Sequence, residues 1–313
     1  MSFAADTKNE LARFETEKKC CMLAEMAGFI RACGSVKLSG SGKITILIHS
    51  ENHQAAKRYK KLIRDYFNID ADFEAGHGED PGKSRSYTLL IPPEGKSEQI
   101  LRETGILKVR EGLNYISDGI YEGLIKTKCC KKAYLRGAFL GAGTVSNPER
   151  GYHIEFLCNT ETLAADIKKL INSFIDLNAK MVQRKKRFII YVKESGQIVD
   201  ILNIMGAHSH LLVFENVKIV KEMRNKANRV RNCDSANIDK ALGAAERQIE
   251  SIRKIESMKG LKSLPEKLHE VAALRLKNPE ASLAELAVLM DPPLKKSGIN
   301  NRLKKIEEIA NRE

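Results

Sequence analysis

The stretch YLRGAFLGAGTVSNPERGYHIEF (residues 134–156) decides the fold of this chain. It predicts a helix of small residues that ends at a glycine and runs into a strand. Gly137 lies inside the helical part, where a glycine costs roughly 1 kcal/mol relative to alanine. A helix accepts such a residue where another backbone must come very close. The stretch therefore predicts a tight helix–helix contact around Gly137.

An earlier part of the chain repeats this pattern. CCMLAEMAGFIRACGSV (20–36) aligns without a gap with CCKKAYLRGAFLGAGTV (129–145), and six of the seventeen aligned residues are identical. A strand-like run follows each copy, KITILIHS (43–50) and YHIEFLC (152–158), and each half continues with a helix, a hairpin and a closing helix. The first hairpin carries the longer loop, GHGEDPGK (76–83). The predicted order is therefore α-β-α-β-β-α, twice. The predicted helices cover 51–67 and 160–175, and the closing helices lie near 96–104 and 195–206.

The duplication predicts a pseudo-twofold axis at which the two glycine-bearing helices meet. Gly28 then lies opposite Gly137 and lets the two backbones pack closely, while Gly34 and Gly143 end their helices as C′ glycines. The alternative is two independent amphipathic helices that each end at a glycine.

These residues resemble the LAGLIDADG homing-endonuclease family, whose motif helix appears as MAGFIRACG (26–34) and LRGAFLGAG (135–143). The resemblance covers residues 17 to 206 and implies two α/β units that form a saddle over duplex DNA. In that family the penultimate motif residue is an acid that holds the divalent metal. That position falls on Cys33 and Ala142 here.

The residues at these two positions argue against cleavage. A hard cation such as Mg²⁺ needs oxygen ligands, whereas a thiol is a soft ligand and a methyl group is none. We therefore predict no catalytic residue, no bound metal and no cofactor. The alternative is an active endonuclease in which Glu25, Glu149 and Glu155 come together to hold the metal.

Zinc is not predicted either. The pairs Cys20–Cys21 and Cys129–Cys130 lack CxxC spacing, and HSENH (49–53) has no accompanying ligand set. The seven cysteines are typical of reduced thiols in a cytoplasm.

The composition favours a polyanionic partner. The 313 residues carry a net charge of +13, and the isoelectric point is about 9.3. Such an excess of positive charge favours nucleic acid as the binding partner, and an anionic membrane surface as the second choice. No apolar run approaches the roughly 20 residues needed to span a bilayer, and the N-terminus resembles no signal peptide.

The last third of the chain predicts helices. RNKANRVRNCDSAN (224–237) is basic and poor in large apolar residues, and IDKALGAAERQIESIRKIESM (238–258) is an amphipathic helix that could position one domain relative to another. That helix could equally pack on the first domain. Three short helices follow. SLPEKLHEVAALRLKNP (263–279) starts with a capping serine, and SLAELAVLM (282–290) starts with the capping box Ser282 and Glu285.

The third segment, KKSGINNRLKKIEEIANR (295–312), presents Ile299, Leu303 and Ile306 on one side, with Ile309 at the edge and Ala310 continuing the stripe weakly. The three helices predict a helix-turn-helix with 295–310 as the recognition helix, which would enter the major groove. A solvated charged face is the alternative for such a basic run.

The predicted DNA contacts lie in two places. Asparagine pairs with adenine, and arginine and lysine pair with guanine or neutralise phosphates. In the helix-turn-helix they are Ser282, Lys295, Lys296, Ser297, Asn300, Asn301, Arg302, Lys304 and Lys305, and at the second hairpin tip they are Arg184, Lys185, Lys186 and Arg187.

A degenerate LAGLIDADG-like domain joined to a C-terminal helix-turn-helix resembles the WhiA family of bacterial DNA-binding regulators. RNKANRVRNCDSANIDKALGAA and SGINNRLKKIEEIA carry that resemblance. It implies a transcription regulator linked to cell division, chromosome segregation or sporulation. A scaffold that docks a sigma factor or another regulator is the remaining alternative.

The predicted fold class is α+β: a duplicated LAGLIDADG-like α/β saddle domain followed by an all-α helix-turn-helix domain. We predict domains at 1–222 (halves about 17–110 and 126–210), 223–260 (basic linker and helix) and 261–313. The predicted partner is double-stranded DNA, without a membrane, and the predicted location is the cytoplasm, at the nucleoid.

Overall fold

A computed structural model of the protein describes residues 2–38, 42–76 and 86–312. The chain forms two compact units, Met1–Val220 and Lys221–Glu313. The predicted loop GHGEDPGK lies outside the described residues apart from Gly76.

The first unit contains the predicted repeat. It begins with α1 (Phe3–Leu11), and the first half follows as α2 (Lys19–Cys33), β1 (Gly34–Leu38), β2 (Ile44–Ser50), α3 (His53–Phe67), β3 (Asp72–Gly76), β4 (Ser86–Ile91) and α4 (Ser97–Glu103). A hairpin of β5 (Leu107–Arg110) and β6 (Leu113–Ile116) comes next. The second half comprises α5 (Lys128–Ala142), β7 (Gly143–Val145), β8 (Ile154–Cys158), α6 (Glu161–Asn172), β9 (Lys180–Arg184), β10 (Arg187–Val192) and α7 (Ser195–Met205).

Each half forms a four-stranded antiparallel sheet. The strand orders, β1-β2-β4-β3 and β7-β8-β10-β9, correspond one to one. Along β2, Ile44, Ile46 and Ile48 are buried, and Ile154 and Phe156 are buried along β8, so every second residue points into the core. The duplication is therefore confirmed at the level of topology.

The predicted element order was wrong in one respect. A strand follows each motif helix directly, so the order is α-β-β-α-β-β-α. The sequence did not indicate β1 or β7 because both are short edge strands that begin with a glycine, and neither shows a clear apolar alternation. The helix α1 and the hairpin β5–β6 were not predicted either.

The two motif helices pack at backbone distance. A Cβ atom built on Gly28 would lie 3.0 Å from the backbone nitrogen of Ala138 and closer still to the carbonyl oxygen of Tyr134. One built on Gly137 would lie 3.1 Å from the nitrogen of Phe29 and would overlap the carbonyl oxygen of Glu25. No real side chain fits at either position, so the predicted contact between the helices is confirmed.

Gly34 and Gly143 end their helices in a different way from the prediction. Both are extended, with φ −86° and ψ of 153° and 156°, so neither is a left-handed C′ glycine. Glycine is required at both positions because there is no room for a side chain. A Cβ on Gly34 would collide with the backbone of Ile30, and one on Gly143 would collide with Phe139. The chain turns directly from helix into strand at these points.

A buried ion cluster ties the two halves together. The carboxylate of Glu25 on α2 is fully buried and accepts from Arg58 Nε on α3 at 2.7 Å and from Arg136 Nε on α5 at 3.1 Å. Thr16 Oγ1 donates to the same carboxylate at 2.9 Å, and Arg136 Nη1 donates to the carbonyl of Met205 at 2.7 Å. The two guanidinium groups share one carboxylate, and the hydrogen bonds to Thr16 and to the Met205 carbonyl replace contacts with solvent.

A single helix, α8 (His208–Lys259), follows. The predicted start of a helix at residue 238 was therefore wrong, because the polar stretch 224–237 is helical as well. Its side chains are exposed, so no apolar stripe marked it as helix in the sequence. The predicted apolar stripe is buried only from Ala245 onwards, whereas Ile238 is 59% and Leu242 45% exposed.

The core of the second unit is formed largely by three helices, α9 (Glu266–Lys277), α10 (Leu283–Leu289) and α11 (Lys296–Arg312). The capping box of Ser282 and Glu285 is present. Ser263 does not cap α9, because Pro265 holds the N-cap position and the Ser263 hydroxyl donates to the carbonyl of Gly260. Ile252 and Ile255 at the end of α8 complete the core.

Gly137→Ala should lower the free energy of unfolding of the protein by about 3 kcal/mol or more, because the added methyl group forces the two motif helices apart. Gly196→Ala is the matched control: Gly196 lies in α7 with nothing within 4 Å of its added Cβ. That variant should be neutral or more stable by up to about 1 kcal/mol. Urea unfolding of both variants measures the difference. Equal stability of the two would contradict the requirement for backbone contact.

Candidate nucleic-acid interface

The degenerate motif positions lie at the C-terminal ends of α2 and α5, which adjoin. A Cβ built on Gly141 would lie 3.3 Å from Cys33 Sγ. The Cys33 thiol donates to the carbonyl of Phe29 at 3.3 Å, and burial raises the pKa of Cys33 to about 12, an effect that Lys8 opposes. The thiol is thus protonated at neutral pH and is a poor ligand for a hard cation.

A cavity of about 760 Å³ lies beside these ends, and α1 contributes Lys8 to its lining. Burial lowers the pKa of the Lys8 ammonium, and Cys33 and Glu51 oppose that shift. The Lys8 nitrogen lies 6.0 Å from the centre of the Phe139 ring. A lysine therefore stands beside the place where the resemblance implies a metal. Sequence reasoning missed Lys8, because its position depends on how α1 packs.

The acids considered as substitutes do not converge on this site. Glu25 is locked in the buried cluster with Arg58 and Arg136. Glu149 is exposed after β7, and Glu155 on β8 is hydrogen-bonded to His153 at 2.9 Å. Glu51 is the one carboxylate among the described residues that line the cavity, and the sequence argument had not singled it out.

The basic hairpin tip lies where it was expected. Lys185 and Lys186 form the two-residue turn between β9 and β10, with Lys185 in the left-handed region at φ 53°. Arg184 and Arg187 are the first cross-strand pair beneath it. All four side chains are exposed, and none has an ion-pair partner among the described residues. Four unpaired cations this close repel one another, so an anion would stabilise the tip.

The helix α11 has two clearly different faces. The buried stripe comprises Ile299, Leu303, Ile306 and Ala310, each at most 2% exposed. Ala310 is therefore a full member of the stripe, whereas only a weak continuation was predicted there. The reason is that the helix continues to pack through its final turn. Ile309 is partly buried, in agreement with its predicted place at the edge.

The opposite face of α11 carries the predicted contact residues. Lys295, Lys296 and Ser297, which lie at and just before the start of the helix, are exposed, and so are Asn301, Lys304 and Lys305. Asn300 and Arg302 are half-buried, and Arg302 Nη1 donates to the carbonyl of Lys267 at 3.4 Å. Arg302 is thus partly engaged with α9. Ser282 is exposed, but its hydroxyl accepts from the backbone N–H of Glu285 at 3.2 Å as the helix cap.

One buried arginine holds this unit together and was not predicted. Arg275 on α9 is 2% exposed; its Nε donates to Gln248 Oε1 at 3.1 Å and its Nη1 to the carbonyl of Ala281 at 2.6 Å. Burial lowers the pKa of Arg275. Its contacts join α8, α9 and the turn before α10, and so position the residues that precede α11. No sequence pattern separates it from an exposed arginine.

The basic part of α8 is a second feature that sequence reasoning described only as a linker. Arg224, Lys226, Arg229 and Arg231 are exposed on one helix. Their signal in the sequence was the basic composition itself. An exposed helix with four cations within two turns can contact a phosphate backbone.

Comparisons with known proteins place these features in a family. A model of the WhiA N-terminal LAGLIDADG-like domain matches residues 19–107, and a model of the WhiA LAGLIDADG-like domain matches residues 131–224. A model of the WhiA C-terminal helix-turn-helix domain matches residues 227–310. The fold and the site thus define a protein with two LAGLIDADG-like domains followed by a helix-turn-helix domain.

The chain belongs to the WhiA family. It is 45% identical over 313 residues to a probable cell division protein WhiA of Alkaliphilus metalliredigens, covering 100% of this chain and 98% of the relative. The corresponding protein of Thermoanaerobacter pseudethanolicus is 46% identical over 310 residues, covering 99% and 97%.

A solved structure shows the same architecture. The crystal structure of full-length WhiA from Thermotoga maritima matches with a TM-score of 0.61 at 26% identity, over 100% of this chain and 99% of that one. In the described part of the chain, no helix is long and apolar enough to cross a membrane.

Proposed function

We propose that this protein is a sequence-specific regulator that binds duplex DNA and does not cut it. The observation that carries the proposal is the exposed polar face of α11, where Asn301, Lys304 and Lys305 stand opposite a fully buried apolar stripe. The buried stripe fixes the orientation of the helix on its unit. The opposite face therefore stays exposed and can enter the major groove without rearrangement. The capping box of α10 and the buried Arg275 support this rigidity.

The basic hairpin tip supports a second point of contact. Arg184, Lys185, Lys186 and Arg187 are exposed and lie at the end of two paired strands, so they reach a phosphate backbone without rearrangement of the sheet. The helix-turn-helix and the saddle each bind weakly in this proposal and contact separate DNA segments. Because one chain joins them, the second contact forms at high effective concentration and raises the overall affinity.

Three observations support the absence of cleavage. The motif positions carry a protonated thiol, Cys33, and a methyl group, Ala142. Lys8 lines the adjoining cavity and offers no oxygen ligand there. Glu51 is the one carboxylate among the described residues that line the cavity, whereas a phosphodiester-cleaving metal site needs several.

The names of the relatives support the proposed biological role. Proteins of similar length and 45–46% identity are named as probable cell division proteins. We extend that role to this chain, as a regulator of genes for cell division, chromosome segregation or sporulation that acts at the nucleoid in the cytoplasm. A sigma factor or another regulator would be a further partner of the saddle domain.

The proposal is tested by selecting bound duplexes from a random DNA pool with the full-length protein in the presence of Mg²⁺. We expect recovered strands that share one motif and run intact on a denaturing gel. Nicked or cut strands would establish the endonuclease alternative. Recovered strands without a shared motif would contradict sequence-specific binding. That outcome would favour the alternative in which the protein is a scaffold that docks a regulator.

Lys304→Ala should weaken binding to every DNA sequence and lower the slope of log K against log salt by about one, because one phosphate contact is lost. Glu308→Ala on the same helix is the control, since Glu308 is exposed and lies past the expected groove contact. The slope of log K against log salt should not fall for Glu308→Ala. Fluorescence anisotropy at several salt concentrations measures both. An unchanged slope for Lys304→Ala removes this lysine from the phosphate contacts.

Asn301→Ala should instead relax sequence preference. An asparagine that pairs with adenine contributes about 1–3 kcal/mol of discrimination, and this is lost while phosphate contacts stay. Competition between the selected duplex and random duplex measures the change. An equal loss on both duplexes would show that Asn301 does not contact a base.

A further inference from the structure

Four thiols come together at the end of the motif helices that is opposite the degenerate metal position. The sulfur atoms of Cys20, Cys21 and Cys130 all lie within 4.8 Å of one another. The thiol of Cys129 adjoins those of Cys21 and Cys130. Two of these residues begin α2 and two begin α5, so each half of the saddle contributes one pair.

Neither pair has the spacing with which one chain segment usually binds zinc. The close approach of α2 and α5 at Gly28 and Gly137 brings residues 109 positions apart into one cluster. The fold therefore creates a ligand set that local spacing does not show.

Three of the sulfur atoms are spaced nearly as in a zinc–thiolate site. A zinc ion with Zn–S bonds of about 2.3 Å holds its sulfur ligands roughly 3.8 Å apart. The sulfur atoms of Cys20, Cys21 and Cys130 are within about 1 Å of that spacing. Cys129, which adjoins Cys21 and Cys130, supplies the fourth sulfur, and a change of side-chain rotamer moves a sulfur atom by more than about 1 Å.

Both cysteine pairs lie in the first turn of their helices, where the positive end of the helix dipole favours an anionic ligand set. Lysines flank each pair in the sequence, at positions 18 and 19 before the first and at 128, 131 and 132 around the second. Lys18 lies near enough to Cys129 to interact with it, whereas Lys131 Nζ donates to Ser173 Oγ at 3.1 Å. The helix ends and Lys18 offset part of the charge that four thiolates and one Zn²⁺ leave.

The four thiols differ in exposure. Cys20 is exposed and Cys129 is half-buried, whereas Cys21 and Cys130 are buried. The Thr127 hydroxyl lies 3.2 Å from Cys129 Sγ. The more accessible thiols of Cys20 and Cys129 can therefore meet a cation first, and the buried thiols lose their protons as the cation binds.

We propose that Cys20, Cys21, Cys129 and Cys130 bind one Zn²⁺ as a structural site that clamps the two halves of the saddle together. The ion exchanges its water ligands for four thiolates, and the four thiol protons pass to solvent without any change of oxidation state. The site is separate from the degenerate motif ends at Cys33 and Ala142, because each motif helix of 15 residues spans about 22 Å.

The test uses the purified full-length protein in a metal-free reducing buffer, with Zn²⁺ added in competition with a chromophoric chelator. We expect one Zn²⁺ per chain, bound more tightly than about 10 nM. Co²⁺ added in its place should give the intense thiolate charge-transfer and visible bands of a tetrahedral sulfur site. Zn²⁺ should also raise the melting temperature, and a chelator should reverse the rise.

The variants separate this cluster from the other thiols. The double variant Cys20→Ser, Cys129→Ser changes the two more exposed ligands and should fold, with a loss of zinc affinity of at least about 100-fold. Cys233→Ser is the matched control, because Cys233 is exposed on α8. It should keep full affinity and the zinc-dependent melting shift.

Three outcomes would overturn the proposal. Less than stoichiometric zinc on the reduced protein removes the site. Full zinc affinity in the double variant places the ion elsewhere. Oxidation of the four thiols to two disulfides by dissolved oxygen, which is reduced to water, in the presence of stoichiometric Zn²⁺ and without reductant, makes the cluster an oxidisable pair of dithiols instead.

Discussion

The contact between α2 and α5 is the constraint on which the first unit depends. A helix pair can meet backbone to backbone only where side chains are missing, and Gly28 and Gly137 supply that space from opposite sides. The same two helices carry the buried Glu25 and Arg136 and end at the degenerate motif positions. Moving either helix by the width of a methyl group would disturb the ion cluster and the placement of both sheets.

The symmetry of this interface is broken by its charges. Glu25 on α2 has two arginine partners, one from its own half and one from the other. The corresponding position on α5 carries Tyr134, whose hydroxyl is buried without a hydrogen-bond partner among the described residues. Such a cluster binds the halves in one register, since removing the Glu25 carboxylate would leave two unpaired guanidinium groups in the core.

The shape of this interface and the chemistry at its end are set by different residues. The glycines let the helices meet, whereas the C-terminal ends of the two helices carry a thiol, Cys33, and a methyl group, Ala142. The helix α1 adds Lys8 beside the adjoining cavity. The glycine contact holds the two sheets, and with them the basic hairpin tip, in a fixed relation.

Local patterns determined a large part of this protein. The repeat around Gly28 and Gly137, the capping box at Ser282 and the apolar stripe of α11 could all be predicted, because each depends on residues close together in the chain. The thiol and the methyl group at Cys33 and Ala142 were equally clear, since they are a matter of residue identity. These observations predicted the duplicated fold, the helix-turn-helix and the candidate contact residues.

Tertiary structure alone decided the rest. The short edge strands β1 and β7 exist because a neighbouring strand completes their hydrogen bonds, and the polar part of α8 carries no apolar stripe that would have marked it as helix. The position of Lys8 beside the degenerate site, the role of Arg275 as a buried tie and the meeting of four cysteines from two helices all depend on contacts between distant residues. Sequence spacing cannot report such contacts, because the distance between two side chains across a packed interface is independent of the number of residues between them.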